Sequence, residues 1–124
     1  LLLNNTESTK VWVAGFSFGA FIALNLLMRR PEIEGFIAIS PPADKYDFSF
    51  LAPCPVSGLI VQGNGDDIVN ETDVALFANK LDSQRSISVK YKKIKSADHF
   101  FTNHLETVNI EVKKYILKSL ATNY

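Results

Sequence analysis

A serine between two glycines, placed where an apolar strand meets an apolar helix, constrains this chain more than any other feature. The segment reads Gly-Phe-Ser-Phe-Gly, with Ser17 at its centre and Gly15 and Gly19 at its ends. Residues 11–14 favour a buried strand, and residues 20–30 favour a helix. A sharp turn between two such elements holds the central side chain clear of the sheet in a strained backbone conformation. We expect both glycines to be required because neighbouring backbone leaves no room there for a Cβ atom.

Polar side chains further along the chain are candidates to act together with Ser17. A serine hydroxyl is a weak nucleophile until a base takes its proton, and the base in turn needs a third group to orient it. His99 follows an apolar run at residues 87–94, whereas Asp66 and Asp67 follow an apolar run at residues 58–61. If both runs are parallel strands, their carboxyl ends meet at one edge of the sheet. We therefore expect Ser17, His99 and one of the two carboxylates to converge, and the spacing leaves the choice of carboxylate open.

Apolar runs alternate between strand-like and helix-like patterns along the chain. Strands are expected at residues 11–16, 35–40, 57–62 and 87–94, and helices at residues 18–30, 71–81 and about 103–120. Asn70 and Asn103 are the expected N-caps of the second and third helices. Strands that alternate with helices form a parallel sheet covered on both faces, which predicts an α/β fold.

Two segments lie outside this alternation. Residues 1–9 are interpreted as the last turn of a helix followed by a polar connection. Residues 41–55 are bracketed by prolines and are interpreted as a loop whose apolar side chains anchor it by packing. We expect the anchoring side chains to be Tyr46, Phe48, Phe50 and Leu51.

Composition excludes several classes of protein. The chain has 124 residues, enough for one domain at most, and its formal net charge of zero argues against a nucleic-acid partner held by phosphate contacts. The single cysteine, Cys54, cannot form an internal disulfide, and no apolar run reaches the roughly 18 residues of a membrane span. Two histidines without the His-x-x-x-His spacing argue against a catalytic zinc. We therefore expect a cytoplasmic protein with no membrane partner and no metal.

Four segments, each at the carboxyl end of a predicted strand, together resemble the α/β-hydrolase superfamily. They are Val-Trp-Val-Ala-Gly-Phe-Ser-Phe-Gly-Ala from residue 11, Ile-Ser-Pro-Pro from residue 39, Val-Gln-Gly-Asn-Gly-Asp-Asp-Ile-Val from residue 61, and Ala-Asp-His-Phe-Phe from residue 97. The order of serine, aspartate and histidine along the chain is also that of the superfamily. More narrowly, the chain is similar to the C-terminal half of small lidless hydrolases in the dienelactone-hydrolase-like and prolyl-oligopeptidase-like branch. The fold expected is a three-layer α/β-hydrolase fold, of which this chain carries about four parallel strands.

This resemblance implies a serine hydrolase that acts on a small-molecule acyl substrate without a cofactor. It would cleave an ester, a thioester or a related acyl bond through an acyl-serine intermediate, and esterase activity is expected first. Ser17 would be the nucleophile, His99 the general base, and Asp66 rather than Asp67 the acid that orients the base. The backbone N–H of Phe18 would donate to the oxyanion. Dienelactone hydrolases proper carry a cysteine nucleophile, so their specific activity is not implied, and an acyl transferase is a weaker alternative.

The resemblance also implies a longer domain than residues 1–124. In the family the nucleophile follows several strands, and an early loop supplies a second oxyanion N–H. Here the serine is residue 17, and the only methionine is Met28. We therefore expect a partial domain without the first strands and the first oxyanion loop, with an open strand edge from Val11 to Phe16. Such an edge favours a homo-oligomer, and the alternative function is a catalytically incomplete module that binds or oligomerises through it.

Overall fold

The computed structural model describes residues 2–5 and 10–122 of the chain. Its strands are β1 (Leu2–Asn5), β2 (Lys10–Phe16), β3 (Ile33–Ile39), β4 (Gly58–Gly63) and β5 (Val89–Ile94). Its helices are α1 (Phe18–Arg29), α2 (Glu71–Asp82) and α3 (Leu105–Thr122), with a short 3₁₀ turn at Ser49–Leu51. The strands form one sheet in the order β1-β2-β3-β4-β5, in which β2 to β5 run parallel. The predicted α/β fold with four parallel strands and flanking helices is confirmed.

The sheet is the middle of three layers because its strands are apolar on both faces. All six residues of β4 are buried. Side chains of α1 and α2, such as Leu24 and Val74, pack with Phe36 and Ile60 on one face of the sheet. On the other face, Val108 of α3 belongs to a second cluster with Trp12, Leu59 and Val61. Partly buried side chains of the same helix pack against this cluster, namely Val112, Tyr115 and Ile116. Burial on two faces explains why the strands read as continuous apolar runs.

The structure corrects the interpretation of the first residues and of the edge of β2. Leu2–Asn5 is a strand and not the end of a helix, while residue 1 and residues 6–9 lie outside the described residues. This strand pairs antiparallel with β2, from Leu2 opposite Val13 to Asn5 opposite Lys10. The expected open edge from Val11 to Phe16 is therefore wrong over Val11 to Val13. The physical reason is that an apolar strand with unpaired backbone groups readily accepts a neighbouring segment as a further strand. The expected homo-oligomer is not tested by this pairing.

The helix caps follow the sequence prediction in one case and depart from it in another. The Asn70 side chain accepts a hydrogen bond from the Asp73 N–H at 3.3 Å, as expected for the N-cap of α2. Asn103 is not the N-cap of α3, because it has a left-handed φ of 64° and the helix begins at Leu105. The Val108 N–H instead donates to the His104 carbonyl at 3.1 Å. Asn103 belongs to a tight turn in which the His104 N–H donates to the Phe101 carbonyl at 2.7 Å.

The loop between β3 and β4 is held against α1 and α2 by aromatic side chains, as predicted. Phe48 and Leu51 are buried, and Phe50 packs against the same core. Tyr46 stays partly exposed and stacks on Phe21 of α1, with ring centroids 4.8 Å apart. The loop is thereby fixed beside the carboxyl ends of the strands, next to Ser17.

Candidate active site

Ser17 lies at a sharp corner between β2 and α1. Its backbone has a φ of 55° and a ψ of −125°, a conformation that side-chain-bearing residues rarely adopt. Two backbone hydrogen bonds hold it there. The Ser17 N–H donates to the Ile39 carbonyl at the end of β3 at 2.7 Å, and the Ala20 N–H donates to the Ser17 carbonyl at 2.9 Å. The corner therefore fixes the position of the Ser17 hydroxyl above the carboxyl end of the sheet.

Only one of the two glycines that flank the corner is required for steric reasons. A Cβ atom on Gly15 would collide with the carbonyl of Gly19 and the backbone nitrogen of Ala20, so no side chain fits there. The expectation of the same restriction at Gly19 is wrong, since no described atom beyond its chain neighbours and its own helix backbone lies within 4 Å of a Cβ placed on it. Gly19 is exposed in the first turn of α1, whereas Gly15 lies beneath that turn. The close approach of helix to strand is thus made at Gly15.

His99 connects Ser17 to Asp66. It lies in the loop after β5 and is 3% exposed. Its Nε2 atom lies 2.8 Å from the Ser17 Oγ, and its Nδ1 atom lies 2.7 Å from the Asp66 Oδ2. A carboxylate can only accept, so Nδ1 carries the proton and Nε2 is free to accept from the serine hydroxyl. The structure thus brings together the three side chains that the sequence analysis expected to converge.

Asp66 is fixed at the end of β4 by four hydrogen bonds. Its Oδ1 accepts from the backbone N–H groups of Ile68 and Val69, both at 2.8 Å. Its Oδ2 accepts from His99 and from the Gln62 side-chain amide, the latter at 2.9 Å. Burial raises the pKa of Asp66. The hydrogen bonds from Val69, His99, Gln62 and Ile68 together lower it by more than burial raises it, so the pKa of Asp66 lies below its usual value. Asp66 is therefore ionised at neutral pH.

The other polar residues near the triad lie outside it. Asp67 is exposed. Asp98, which precedes His99 in the sequence, is partly exposed, and its Oδ1 accepts from the Thr102 N–H at 2.7 Å. His104 contacts the Thr102 carbonyl through Nδ1 at 2.9 Å. The structure thus brings Asp66, and not Asp67, into contact with the His99 ring.

The loops that carry Asp66 and His99 are bonded to one another. The Gly65 N–H donates to the Ala97 carbonyl at 2.9 Å, and the Ser96 N–H donates to the Asn64 side chain at 2.6 Å. These contacts lie next to the triad in both loops. They fix the position of the imidazole relative to the carboxylate through backbone atoms as well as side chains.

Two residues of the site, Ser40 and Gln62, are absent from the sequence prediction. Both are 0% exposed. The Ser40 Oγ donates to the backbone carbonyl of His99 at 3.1 Å, and Gln62 donates to Asp66. The signal in the sequence is a polar residue at the carboxyl end of an otherwise apolar strand, where burial is costly unless the polar group has a partner.

Aromatic side chains surround the imidazole at the surface. The Phe16 and Phe100 rings lie 5.3 and 5.0 Å from the His99 ring, centroid to centroid, and are 41% and 58% exposed. Phe18, the residue after Ser17, contacts Tyr46 at 5.3 Å between ring centroids. The exposed aromatic surface next to the imidazole suits an uncharged organic ligand.

Phe18 directly follows Ser17 and is the first residue of α1. The N–H groups in the first turn of a helix have no acceptor within the helix, and the positive end of the helix dipole is located there. Negative charge that develops on an atom bound to Ser17 is favoured at this end of α1. The Phe18 N–H is therefore available as an oxyanion donor.

Neither a metal-binding cluster nor a membrane helix is found in the described ranges. Among residues 2–5 and 10–122, no group of three or more His, Cys, Asp or Glu side chains is arranged to hold a metal ion. None of α1, α2 and α3 combines the length and the apolar character that a membrane-crossing helix needs.

The chain is similar to proteins of about twice its length. No protein-family model matches it. It is 48% identical over 125 residues to an uncharacterized protein of Rickettsia prowazekii (strain Madrid E). The matched region covers 98% of this chain and 52% of that protein. This chain therefore spans about half the length of the curated relative that it matches.

Two solved structures superimpose on the chain with substantial sequence identity. One is a protein of unknown function from Agrobacterium tumefaciens, a candidate α/β hydrolase, with a TM-score of 0.87, 47% identity and coverage of 89% of this chain and 50% of that one. The other is a member of the α/β serine hydrolases without lid from Xanthomonas campestris, with a TM-score of 0.74, 30% identity and coverage of 86% and 46%.

Proposed function

We propose that this chain, which is a C-terminal portion of the α/β-hydrolase fold, carries the catalytic triad of a serine hydrolase. Ser17 is the nucleophile, His99 the general base and Asp66 the acid that orients the base. The reaction proposed is cleavage of an ester, thioester or related acyl bond in a small-molecule substrate, with esters first. The solved relatives that share at least 30% identity with the chain include a serine hydrolase, which supports this class of chemistry.

The observation that carries the proposal is the continuous hydrogen-bonded path from serine to carboxylate. The path consists of the 2.8 Å contact between Ser17 Oγ and His99 Nε2 and the 2.7 Å contact between His99 Nδ1 and Asp66 Oδ2. Both distances lie within the range expected for a nucleophile and base and for a base and its orienting group. The ionised state of Asp66 stabilises the imidazolium that forms when His99 takes the serine proton.

Acylation starts when the Ser17 Oγ bonds to the substrate carbonyl carbon while its proton passes to His99 Nε2. The carbonyl oxygen becomes an oxyanion, which the Phe18 N–H stabilises. When this intermediate collapses, the bond to the leaving group breaks and His99 returns its proton to that group. The acyl group is then attached to Ser17.

Deacylation uses the same groups with water in place of serine. His99 Nε2 takes a proton from a water molecule, whose oxygen bonds to the acyl carbon. Collapse of the second intermediate breaks the bond to Ser17 Oγ, which recovers the proton from His99. The products are a carboxylic acid and the free serine, and no cofactor takes part.

The rate that the chain reaches by itself depends on the oxyanion donors. In the superfamily a second backbone N–H comes from the loop after an early strand. Residues 10–122 offer the Phe18 donor at the start of α1. Loss of one such donor typically lowers kcat by about 10²–10³. We therefore propose slow acylation by the 124-residue chain, with Ser17 still the residue that reacts.

A fluorophosphonate probe tests this proposal, because it reacts with activated serines and is independent of substrate identity. We expect covalent labelling at Ser17, identified by peptide mass spectrometry, and slow turnover of p-nitrophenyl acetate. Ser17→Ala is expected to remove both. Ser86→Ala is the matched control, since Ser86 also has a positive φ, of 73°, but lies away from the triad. A folded chain that the probe leaves unmodified, or modifies elsewhere, contradicts the assignment.

The alternative is a non-catalytic module that associates through a strand edge. It predicts a tight oligomer in sedimentation together with no labelling and no ester turnover. Pairing of β1 with β2 leaves β1 as the outer strand on that side of the described sheet. Sedimentation and labelling of the same sample therefore separate the two functions.

A further inference from the structure

The buried polar residues of the described chain all lie at the triad. They are Ser40, Gln62 and His99. Burial of a polar group is unfavourable unless hydrogen bonds replace those lost to water. The proposed mechanism uses the imidazole of His99, but it assigns no task to the Gln62 amide, which is 0% exposed at the end of β4. Gln62 therefore needs a separate explanation.

The Gln62 amide completes the set of donors around the Asp66 carboxylate. The Gln62 Nε2 donates to Asp66 Oδ2 at 2.9 Å, next to the His99 Nδ1 at 2.7 Å. The backbone N–H groups of Ile68 and Val69 occupy Oδ1. An ionised carboxylate has about four acceptor positions, and each is occupied here. The carboxylate can thus take one orientation, in which a single lone pair of Oδ2 faces the imidazole.

The Gln62 amide is itself held in one orientation. Its Nε2 also donates to the Gly63 carbonyl at 3.1 Å. Its Oε1 is buried and has no hydrogen-bond partner among the described residues. Rotation of the amide by half a turn would exchange its nitrogen and oxygen, and the oxygen would then face Asp66 Oδ2, where two acceptors repel each other. The donor side of the amide therefore stays on the carboxylate, although the acceptor side is unsatisfied.

We propose that Gln62 is a positioning residue that fixes the Asp66 carboxylate in the orientation and the ionised state that His99 requires. This inference rests on the proposed triad of Ser17, His99 and Asp66. A hydrogen bond to the charged form of a carboxylate favours that form. Without the Gln62 donor, Asp66 binds a proton more readily, and the less neutralised carboxylate also attracts a protonated His99 more strongly. The mechanism needs ionised Asp66 and neutral His99. Both effects therefore move the acid limb of the pH–activity profile, which is the range where activity falls as the pH is lowered, to higher pH.

The test compares Gln62→Met with Gln84→Met in the full chain. Methionine keeps the length of the side chain and removes the amide. Gln84 is the matched control, because its Oε1 accepts from the Cys54 N–H at 2.7 Å and it lies outside the site. The readout is the rate of fluorophosphonate labelling at Ser17 as a function of pH. We expect Gln62→Met to react about tenfold more slowly at neutral pH, as for a lost hydrogen bond to a charged group, and to shift the acid limb upward. Gln84→Met is expected to keep the wild-type limb.

The outcomes separate this inference from the proposed function. Unlabelled wild-type protein overturns the triad and the inference together. Labelled wild type with an unmoved acid limb in Gln62→Met overturns the inference alone, since a purely structural loss lowers the rate equally at every pH. If Gln62→Met does not fold, NMR of the wild type provides the test. The Gln62 side-chain amide resonances are then expected to change as the pH falls through the lowered pKa of Asp66, and resonances that do not respond overturn the inference.

Discussion

The Oγ atom of Ser17 lies 2.8 Å from the Nε2 atom of His99, although 82 positions separate the two residues in the chain. They meet because β2 and β5 are parallel strands of one sheet, so the loops that follow them emerge at the same edge. Two strands, β3 and β4, lie between them. Buried Ser40 directly follows β3, and buried Gln62 lies in β4. The contact is thus a product of the whole parallel sheet and not of one local motif.

The two histidines of the chain are expected to differ sharply in importance. His99→Ala removes the base, and loss of a triad member typically lowers kcat by about 10⁴–10⁶. His104→Ala removes a ring that contacts a backbone carbonyl at the start of α3, so activity is expected to stay within about twofold of wild type. Steady-state hydrolysis of a p-nitrophenyl ester measures both. Equal losses in the two variants would contradict the role of His99.

The neighbouring aspartates form a second matched pair. Asp66→Asn replaces the acceptor of the His99 Nδ1–H with an amide and favours the wrong imidazole tautomer, which costs about 10⁴ in kcat in related triads. Asp67→Asn changes an exposed side chain and is expected to leave the rate nearly unchanged. Activities of the purified variants decide between the two carboxylates, and a larger effect at Asp67 would reverse the assignment.

Asp66 is also expected to make stability depend on pH. Its pKa is lower in the folded chain than in the unfolded chain: burial raises it, but the hydrogen bonds from Val69, His99, Gln62 and Ile68 outweigh that effect. The unfolded state therefore binds the proton more readily, and the stabilisation by ionised Asp66 is complete above the ordinary aspartate pKa of about 4. It is lost as the pH falls through the lower folded value. Urea unfolding of wild type and Asp66→Asn is expected to give a difference in unfolding free energy that shrinks in this acidic window. A difference that is constant with pH would contradict the lowered pKa.

The glycines of the serine corner are expected to respond in opposite ways to alanine. Gly15→Ala places a Cβ against the Gly19 carbonyl, and overpacking of this kind costs about 1–3 kcal/mol or more. Gly19→Ala meets no described atom within 4 Å beyond its chain neighbours and its own helix backbone, and is expected to stabilise α1 by about 0.5–1 kcal/mol, the difference between the two residues inside a helix. Chemical denaturation measures both changes. Similar destabilisation by the two substitutions would show that the corner is packed differently.

Ser40 is expected to stabilise the loop that carries His99. Ser40→Ala removes the buried donor to the His99 carbonyl, and an unsatisfied buried acceptor costs about 1–3 kcal/mol. Ser83 provides the control, because its Oγ makes the same type of bond to the Lys80 carbonyl at 2.7 Å on the surface. Ser83→Ala is therefore expected to change stability by less than about 0.5 kcal/mol. Thermal unfolding of the two variants compares buried and exposed forms of one interaction.

The sequence predicts the sheet well because burial on both faces forces long apolar runs, and the solved relatives confirm the α/β-hydrolase resemblance. The errors occur where tertiary contacts decide. Residues 2–5 pair with β2 through backbone groups, which leave no periodic signal in four residues. Asn103 is of a residue type that often caps helices, but in the structure it lies in a tight turn with a positive φ. Gly19 is the second glycine of the Gly-x-Ser-x-Gly segment, but unlike Gly15 it makes no close contact that excludes a Cβ atom.

The sequence predicts only those site residues whose type alone indicates a chemical role. Serine, histidine and aspartate at strand ends indicate a triad by type and order. Gln62 and Ser40 act through their partners, so their roles depend on distances of 2.9 and 3.1 Å that no spacing rule supplies. A polar residue at the carboxyl end of an apolar strand is the feature of the sequence that points to such a partner.

His99 follows β5, the outermost strand on its side of the described sheet, which pairs with β4 alone among the described strands. Terminal strands of a sheet open at lower free energy than central ones. Detachment of β5 withdraws the base from the serine while the pairing of β2 with β3 stays intact. We therefore expect turnover to be lost at a lower denaturant concentration than the helical circular dichroism of the chain, because local opening at β5 precedes global unfolding.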